Sequence, residues 1–188
     1  MSQSQLLIHT IKSLEKIGCE YMLTGSLVSS MQGEPRATHD IDIVVEISQN
    51  DVELFLNEFT PEDYYFDLGF AKSAMASGDM FNILATATGD KVDIWALTES
   101  EFDQSRFSRR QKVILLDMEM LVSSPEDTIL MKLLWAHLSR GSEKQLFDAA
   151  RVFEEQSDSM DKGYLSLWID KLKLDAQFAS MQRFLELP

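Results

Sequence analysis

Asp40 and Asp42 stand one residue apart at the head of the apolar run DIDIVVEI, residues 40–47, and Asp93 sits between Val92 and Ile94 in KVDIWAL, residues 91–97. Side chains alternate along a strand, so Asp40 and Asp42 share one face, roughly 6 to 7 Å apart, while Ile41, Ile43, Val45 and Ile47 take the other. The same parity sets Asp93 opposite Val92 and Ile94. If the two strands are neighbours, a third carboxylate joins the first two. Three such groups within a few ångströms repel one another, and the arrangement is tolerable where a cation compensates them. Mg²⁺ suits this set, since a hard ion takes a few protein carboxylates and fills its remaining positions with water and substrate phosphates; Mn²⁺ shares the preference for oxygen.

A second pattern precedes these acids. In MLTGSLVSSMQ, residues 22–32, a short apolar strand runs into Gly25-Ser26 and then into a helical segment. Gly25 lets backbone come close to a ligand, and the free N–H groups of the helix start, with the Ser26 hydroxyl, can hold a phosphate. Metal-bound phosphates beside a helix N-terminus describe a nucleoside triphosphate. The matching chemistry is two-metal phosphoryl transfer, one ion activating a hydroxyl and the other stabilising the leaving pyrophosphate. Each piece alone has a plainer reading: Asp-x-Asp as a solvated strand end, Gly-Ser as a helix cap. The ordered set of strand, Gly-Ser, helix, Asp-Ile-Asp strand and later strand Asp is far more specific.

The elements that must position these groups follow from periodicity. QSQLLIHTIKSLEKIG, residues 3–18, has apolar residues at helical spacing and a Gly stop. EYMLTG and HDIDIVVEI read as strands, and SQNDVELFLNEF as a helix capped by Ser48. Residues 61–78 read as a loop with one short helix around GFAKSAMA. MFNILATATGDKVDIWAL, residues 80–97, is a hairpin turning at Thr88-Gly89-Asp90. EFDQSRFSRRQ reads as a helix, and KVILLDMEMLVSS as strand segments around Asp117. From Pro125 onward only helices are predicted, the first started by Ser124-Pro125 with acids in its first turn. The expected fold is α+β, a small mixed β-sheet flanked by helices, with a core over residues 1–123 and a helical region over 124–188.

The segment MLTGSLVSSMQGEPRATHDIDIVV together with KVDIWAL resembles the nucleotidyltransferase fold of the polymerase-β-like superfamily, whose pattern is a hydrophobic-Gly-[Gly/Ser] turn, an acid-x-acid strand and a third strand acid. Arg36, Thr38, Asp40 and Asp42 match the Arg-x-Thr-x-Asp-[Ile/Leu]-Asp signature of small prokaryotic members related to abortive-infection and toxin–antitoxin nucleotidyltransferases. The resemblance implies that Asp40, Asp42 and Asp93 are catalytic and bind Mg²⁺ or Mn²⁺, with Asp93 assisting deprotonation of the acceptor hydroxyl. It implies that Gly25 and Ser26 hold the triphosphate and that Arg36 contacts phosphate or braces its loop; the plainer reading of Arg36 is a salt bridge to a surface acid. SPEDTILMKLLWAHLSRGSEKQLFDAARV is similar to the helical part of these enzymes, which implies nucleotide-facing roles for Lys132, Arg140 and Lys144. Many relatives carry an acid after the last lysine, where this chain has Gln145. The plainer reading of all three cations is a solvated helix face, with Lys144, Asp148 and Arg151 as spaced ion pairs.

Composition bounds the partners. The chain has 188 residues, 31 acids against 17 Lys and Arg, and a net charge of −14, which disfavours non-specific nucleic-acid binding. The single Cys19 reads as a core thiol, and the three histidines form no Cys/His zinc pattern. His39 reads as a loop histidine or a phosphate contact, and Trp95 as a buried ring or a base-stacking one. No apolar segment is long enough to span a bilayer, and the expected location is cytoplasmic. Two functions compete. One is an enzyme moving a nucleoside monophosphate from an NTP to a hydroxyl of a protein, a small molecule or a tRNA. The other is a toxin–antitoxin or abortive-infection component that uses the same fold to bind a partner protein.

Overall fold

The computed structural model describes residues 2–38 and 40–185, so His39 lies outside the described residues. In chain order the elements are α1 (Gln3–Lys16), β1 (Glu20–Thr24), α2 (Gly25–Gln32), β2 (Asp40–Glu46), α3 (Gln49–Leu56), β3 (Tyr64–Tyr65), α4 (Leu68–Ser77) and β4 (Met80–Ala85). They continue as β5 (Lys91–Ala96), α5 (Glu101–Ser108), β6 (Gln111–Leu115), β7 (Met118–Val122), α6 (Pro125–Leu138), α7 (Glu143–Gln156), α8 (Lys162–Leu172) and α9 (Asp175–Leu185). The expected α+β class holds. None of the described helices is long and apolar enough to cross a membrane.

Two compact units divide the chain. The first comprises residues 1–24 and 38–122, the second residues 25–37 and 123–188. Residues 25–37 thus go with the helical unit.

The first unit is built on a mixed seven-stranded sheet ordered β3-β4-β5-β2-β1-β7-β6. β2 lies inside it, antiparallel to β1 and parallel to β5. The predicted hairpin is β4 and β5, paired antiparallel. The helix α1 starts at a capping box between Ser2 and Gln5, buries Leu6, Leu7, Ile11 and Leu14, and packs on β1 and β5. Ser48 caps α3 as expected, its side chain accepting from the Asp51 N–H. Residues 61–78 hold the expected helix, α4, capped by Asp67 and closed by Gly78, and add the short strand β3 that the sequence does not suggest.

Ile41, Ile43 and Val45 are buried, as the alternation predicts. Val44, on the face of the acids, is buried as well, clustered with Met22 and Phe107 and with Trp95 and Leu97 packed against them. The acids therefore stand at the head of a strand whose two faces both become core. Cys19 is half-buried instead of deep in the core, with its sulfur against the carbonyls of Glu20 and Glu46. Burial, helped by the charges of Asp51, Glu20 and Glu46, pushes its thiol up to about 12, so it stays protonated and unreactive.

Among the described residues, the regular elements of the second unit are all helices. α6 and α7 pack on each other, and α2 packs on both. Ser124 caps α6 with Pro125 in its first turn, as the sequence predicts. Polar ties hold α2 here: Gln32 Nε2 donates to the Ser123 carbonyl, and Gln156 Nε2 donates to the Gln32 carbonyl, each at 2.8 Å. Gly33, which ends α2, meets α7 so closely that an added Cβ would lie 2.8 Å from the Arg151 carbonyl carbon and the Val152 nitrogen. Buried acids lock α6 to the start of α8. The Tyr164 hydroxyl donates to Asp127 Oδ1 at 2.8 Å, and the Asp161 N–H to Glu126 Oε1 at 2.6 Å.

Candidate active site

In the sheet unit, β2 and β5 are parallel neighbours in a register that pairs Asp40 with Lys91 and Asp42 with Asp93. The condition set by the sequence is met, and the three carboxylates share one face of two adjacent strands. Their exposures form a gradient. The Asp40 side chain is 54% exposed, Asp42 is half-buried and the Asp93 side chain is 8% exposed. The Trp95 indole N–H donates to Asp42 Oδ1 at 3.3 Å, so this ring shares the face of the acids and fixes one of them.

Lys91 is the residue that reading the acids alone passes over. Two positions before Asp93 and of the same parity, it donates from Nζ to Asp93 Oδ2 at 2.7 Å and lies 3.5 Å from Asp40 Oδ1. The Asp93 hydrogen bond, reinforced by the charges of Asp93 and Asp40, raises its ammonium pKa against a smaller opposing effect of burial.

Whether these residues suit a divalent cation can be tested on the geometry. Among the described residues, no three His, Cys, Asp or Glu side chains are gathered closely enough to enclose a metal ion. Asp93 Oδ1, however, is buried and receives no hydrogen bond from the described residues. A buried carboxylate oxygen without a partner is costly unless something positive meets it. Mg²⁺ needs no complete protein cage, because waters and substrate phosphates supply much of its shell. Asp93 with Asp42 beside it and Asp40 at the strand start therefore fits such an ion.

In the helical unit, three of the predicted nucleotide-binding residues come together. Gly25 opens α2 with φ +74°, a left-handed conformation that favours glycine, and Ser26 follows in the first turn. The Ser26 hydroxyl accepts from Arg36 Nη2 at 3.2 Å and from Lys132 Nζ at 3.3 Å. Both cations are anchored by Asp148 on α7. Arg36 donates from Nε to Oδ1 at 2.9 Å and from Nη2 to Oδ2 at 2.6 Å, and Lys132 Nζ donates to Oδ2 at 2.8 Å. Lys132 and Asp148 each have side chains only 5% exposed. Burial alone would raise the Asp148 carboxyl, but the hydrogen bonds and charges of Arg36 and Lys132 outweigh it and hold the group below its usual range.

This arrangement replaces two readings made from the sequence. Arg36 pairs with a buried acid, not a surface one. Asp148 is no member of a ladder with Lys144 and Arg151, since Arg151 pairs with Glu34 and Glu154. Arg140, in the turn after α6, and Lys144, in the first turn of α7, are exposed and do not join the Ser26 cluster. Arg140 has φ +58°, so it serves the turn that ends α6.

No protein-family model matches the chain, and no curated protein does. Solved structures do. The antibiotic-resistance factor ANT(2'')-Ia superposes with a TM-score of 0.58 at 10% identity, covering 99% of both chains. An antigenic nucleotidyltransferase-like protein from Paracoccidioides brasiliensis gives 0.55 at 15% identity, over 94% of this chain and 91% of its own. The lincosamide antibiotic adenylyltransferase LnuA, solved with lincomycin bound, gives 0.52 at 14% identity, over 78% of this chain and 93% of its own. Topology, register and these likenesses agree: the chain has the nucleotidyltransferase fold.

Proposed function

We propose that the protein is a nucleotidyltransferase that moves a nucleoside monophosphate from an NTP to a hydroxyl acceptor with release of pyrophosphate. The observation that carries this reading is the in-register pair Asp42 and Asp93, with a buried oxygen on Asp93 that has no hydrogen-bond partner among the described residues.

Asp40, Asp42 and Asp93 hold Mg²⁺ or Mn²⁺. When bound, such an ion lowers the pKa of a coordinated hydroxyl and neutralises charge on the phosphates. Asp93, the most buried of the three, assists deprotonation of the acceptor, while the Trp95 N–H keeps Asp42 oriented. Ser26, Arg36 and Lys132 bind phosphate oxygens, and Asp148 positions the two cations without touching the substrate. Gly25 keeps the start of α2 open to close approach. Arg140 and Lys144, both exposed, act at most by attracting an anion from solution.

For the acceptor we favour a small cationic molecule that bears hydroxyl groups. The net charge of −14 supports this over a polyphosphate partner, and two of the structural neighbours are named for antibiotics. Purified protein incubated with each NTP and Mg²⁺, with aminoglycoside and lincosamide acceptors or with cell extract, should release pyrophosphate. The labelled nucleotide that transfers identifies the base. No pyrophosphate release and no label transfer under any of these conditions rejects the reading.

A further inference from the structure

Lys91 is poised against the residues to which the cation is assigned. Its Cα pairs with that of Asp40 across β2 and β5, and its ammonium bonds Asp93 Oδ2 while lying 3.5 Å from Asp40 Oδ1. Asp93 thus offers one oxygen to a lysine, while the other is buried and meets no hydrogen-bond partner among the described residues. A divalent ion on Oδ1 would sit within a few ångströms of the ammonium on Oδ2, and like charges at that separation oppose each other strongly in a partly desolvated site. The Lys91 side chain is 38% exposed, so its flexible stem can carry the ammonium out to water.

We propose that Lys91 is the resident counter-ion of the carboxylate set and that a divalent cation binds by displacing it from Asp93. The inference rests on the assignment of the acids to a cation. It has two consequences. The chain tolerates its clustered acids without metal, because Lys91 neutralises part of their charge. Its affinity for a bare cation is also weakened, and a phosphate-bearing substrate restores it by giving the displaced ammonium a new acceptor.

The test is titration of Mn²⁺ alone, followed by calorimetry and by the electron paramagnetic resonance of free Mn²⁺, on wild type, Lys91→Met and Lys91→Gln. Both variants should bind Mn²⁺ about tenfold tighter than wild type, equivalent to roughly 1.4 kcal/mol. Both should also melt at lower temperature in chelator. Lys91→Gln keeps a donor for Asp93 without the charge and so guards against a Met variant that fails to fold. Equal or weaker Mn²⁺ binding by the variants, with clear binding by wild type, overturns the counter-ion role and leaves the cation site standing. No Mn²⁺ binding by any of the three proteins, even with ATP added, overturns both.

Discussion

Arg36 grips Asp148 through both arms of its guanidinium, Nε to Oδ1 at 2.9 Å and Nη2 to Oδ2 at 2.6 Å, across 112 positions of sequence. A forked pair of this kind fixes the plane of the arginine as well as its place. The same carboxylate receives Lys132, so one buried acid orders two cations beneath the Ser26 hydroxyl. Two cations against one carboxylate leave a local net positive charge in a chain whose overall net charge is −14.

Asp148→Asn should therefore destabilise the protein by about 3 kcal/mol, because it removes the negative charge with which the nearly buried Lys132 pairs. Urea unfolding measures this. A pH series gives an independent check. The folded Asp148 carboxyl lies below its ordinary value of 3.8, so its contribution is complete above that value and is lost as pH falls through the folded pKa. Wild type should lose stability on the acid side below about pH 4, and Asp148→Asn should show a shallower acid limb.

The carboxylate set was legible because strand parity is local: Asp40 and Asp42 share a face by spacing alone, and only the neighbouring of β2 and β5 had to be supplied by the fold. Lys91 was equally legible, being two residues from Asp93 and of the same parity, but it is a basic residue among acids and carries no motif. Asp148 was not. Nothing periodic links it to Arg36, and its role follows only from packing of α2 and α7. Two-residue β3 lies below the length at which alternation says anything. Cys19 was misplaced because its flank of Gly18 and Glu20 ends a helix at the surface, where a thiol is only half-covered.

Ser26→Ala should weaken binding of the triphosphate by about 1.5 to 3 kcal/mol, the worth of a charge-assisted hydrogen bond. The fold should hardly notice, since Arg36 and Lys132 both keep Asp148 when the hydroxyl goes. Nucleotide titration in Mg²⁺, paired with a thermal melt, separates the two effects. Affinity unchanged from wild type would move the phosphate away from the start of α2.

Gly33→Ala tests the packing that holds α2 in the helical unit. A Cβ at 2.8 Å from the backbone of Arg151 and Val152 cannot be accommodated by a side-chain rotation, so α2 or α7 must shift. The expected cost is about 1 to 3 kcal/mol by urea unfolding. Because Arg36 and Asp148 lie on either side of this contact in sequence, the same variant should also loosen nucleotide binding.

Asp42→Asn sets function against stability at one atom. In the absence of a cation, Asp42 stands in register with Asp93, and Lys91 reaches Asp93 and Asp40. Replacing its carboxylate by an amide removes a repelling charge while the remaining oxygen can still accept from the Trp95 N–H. The variant should melt in chelator at the same temperature as wild type or higher, as expected where a site stores unfavourable electrostatics. Wild type with Mg²⁺ and NTP at a hundredfold excess over Kd should gain about 2.7 kcal/mol, and the variant should lose that gain. A purely structural Asp42 predicts the opposite sign on both counts, with lower stability in chelator and undiminished stabilisation by nucleotide. Melts of both proteins, each in chelator and in Mg²⁺ with NTP, decide between them, and the second pattern would remove Asp42 from the catalytic set.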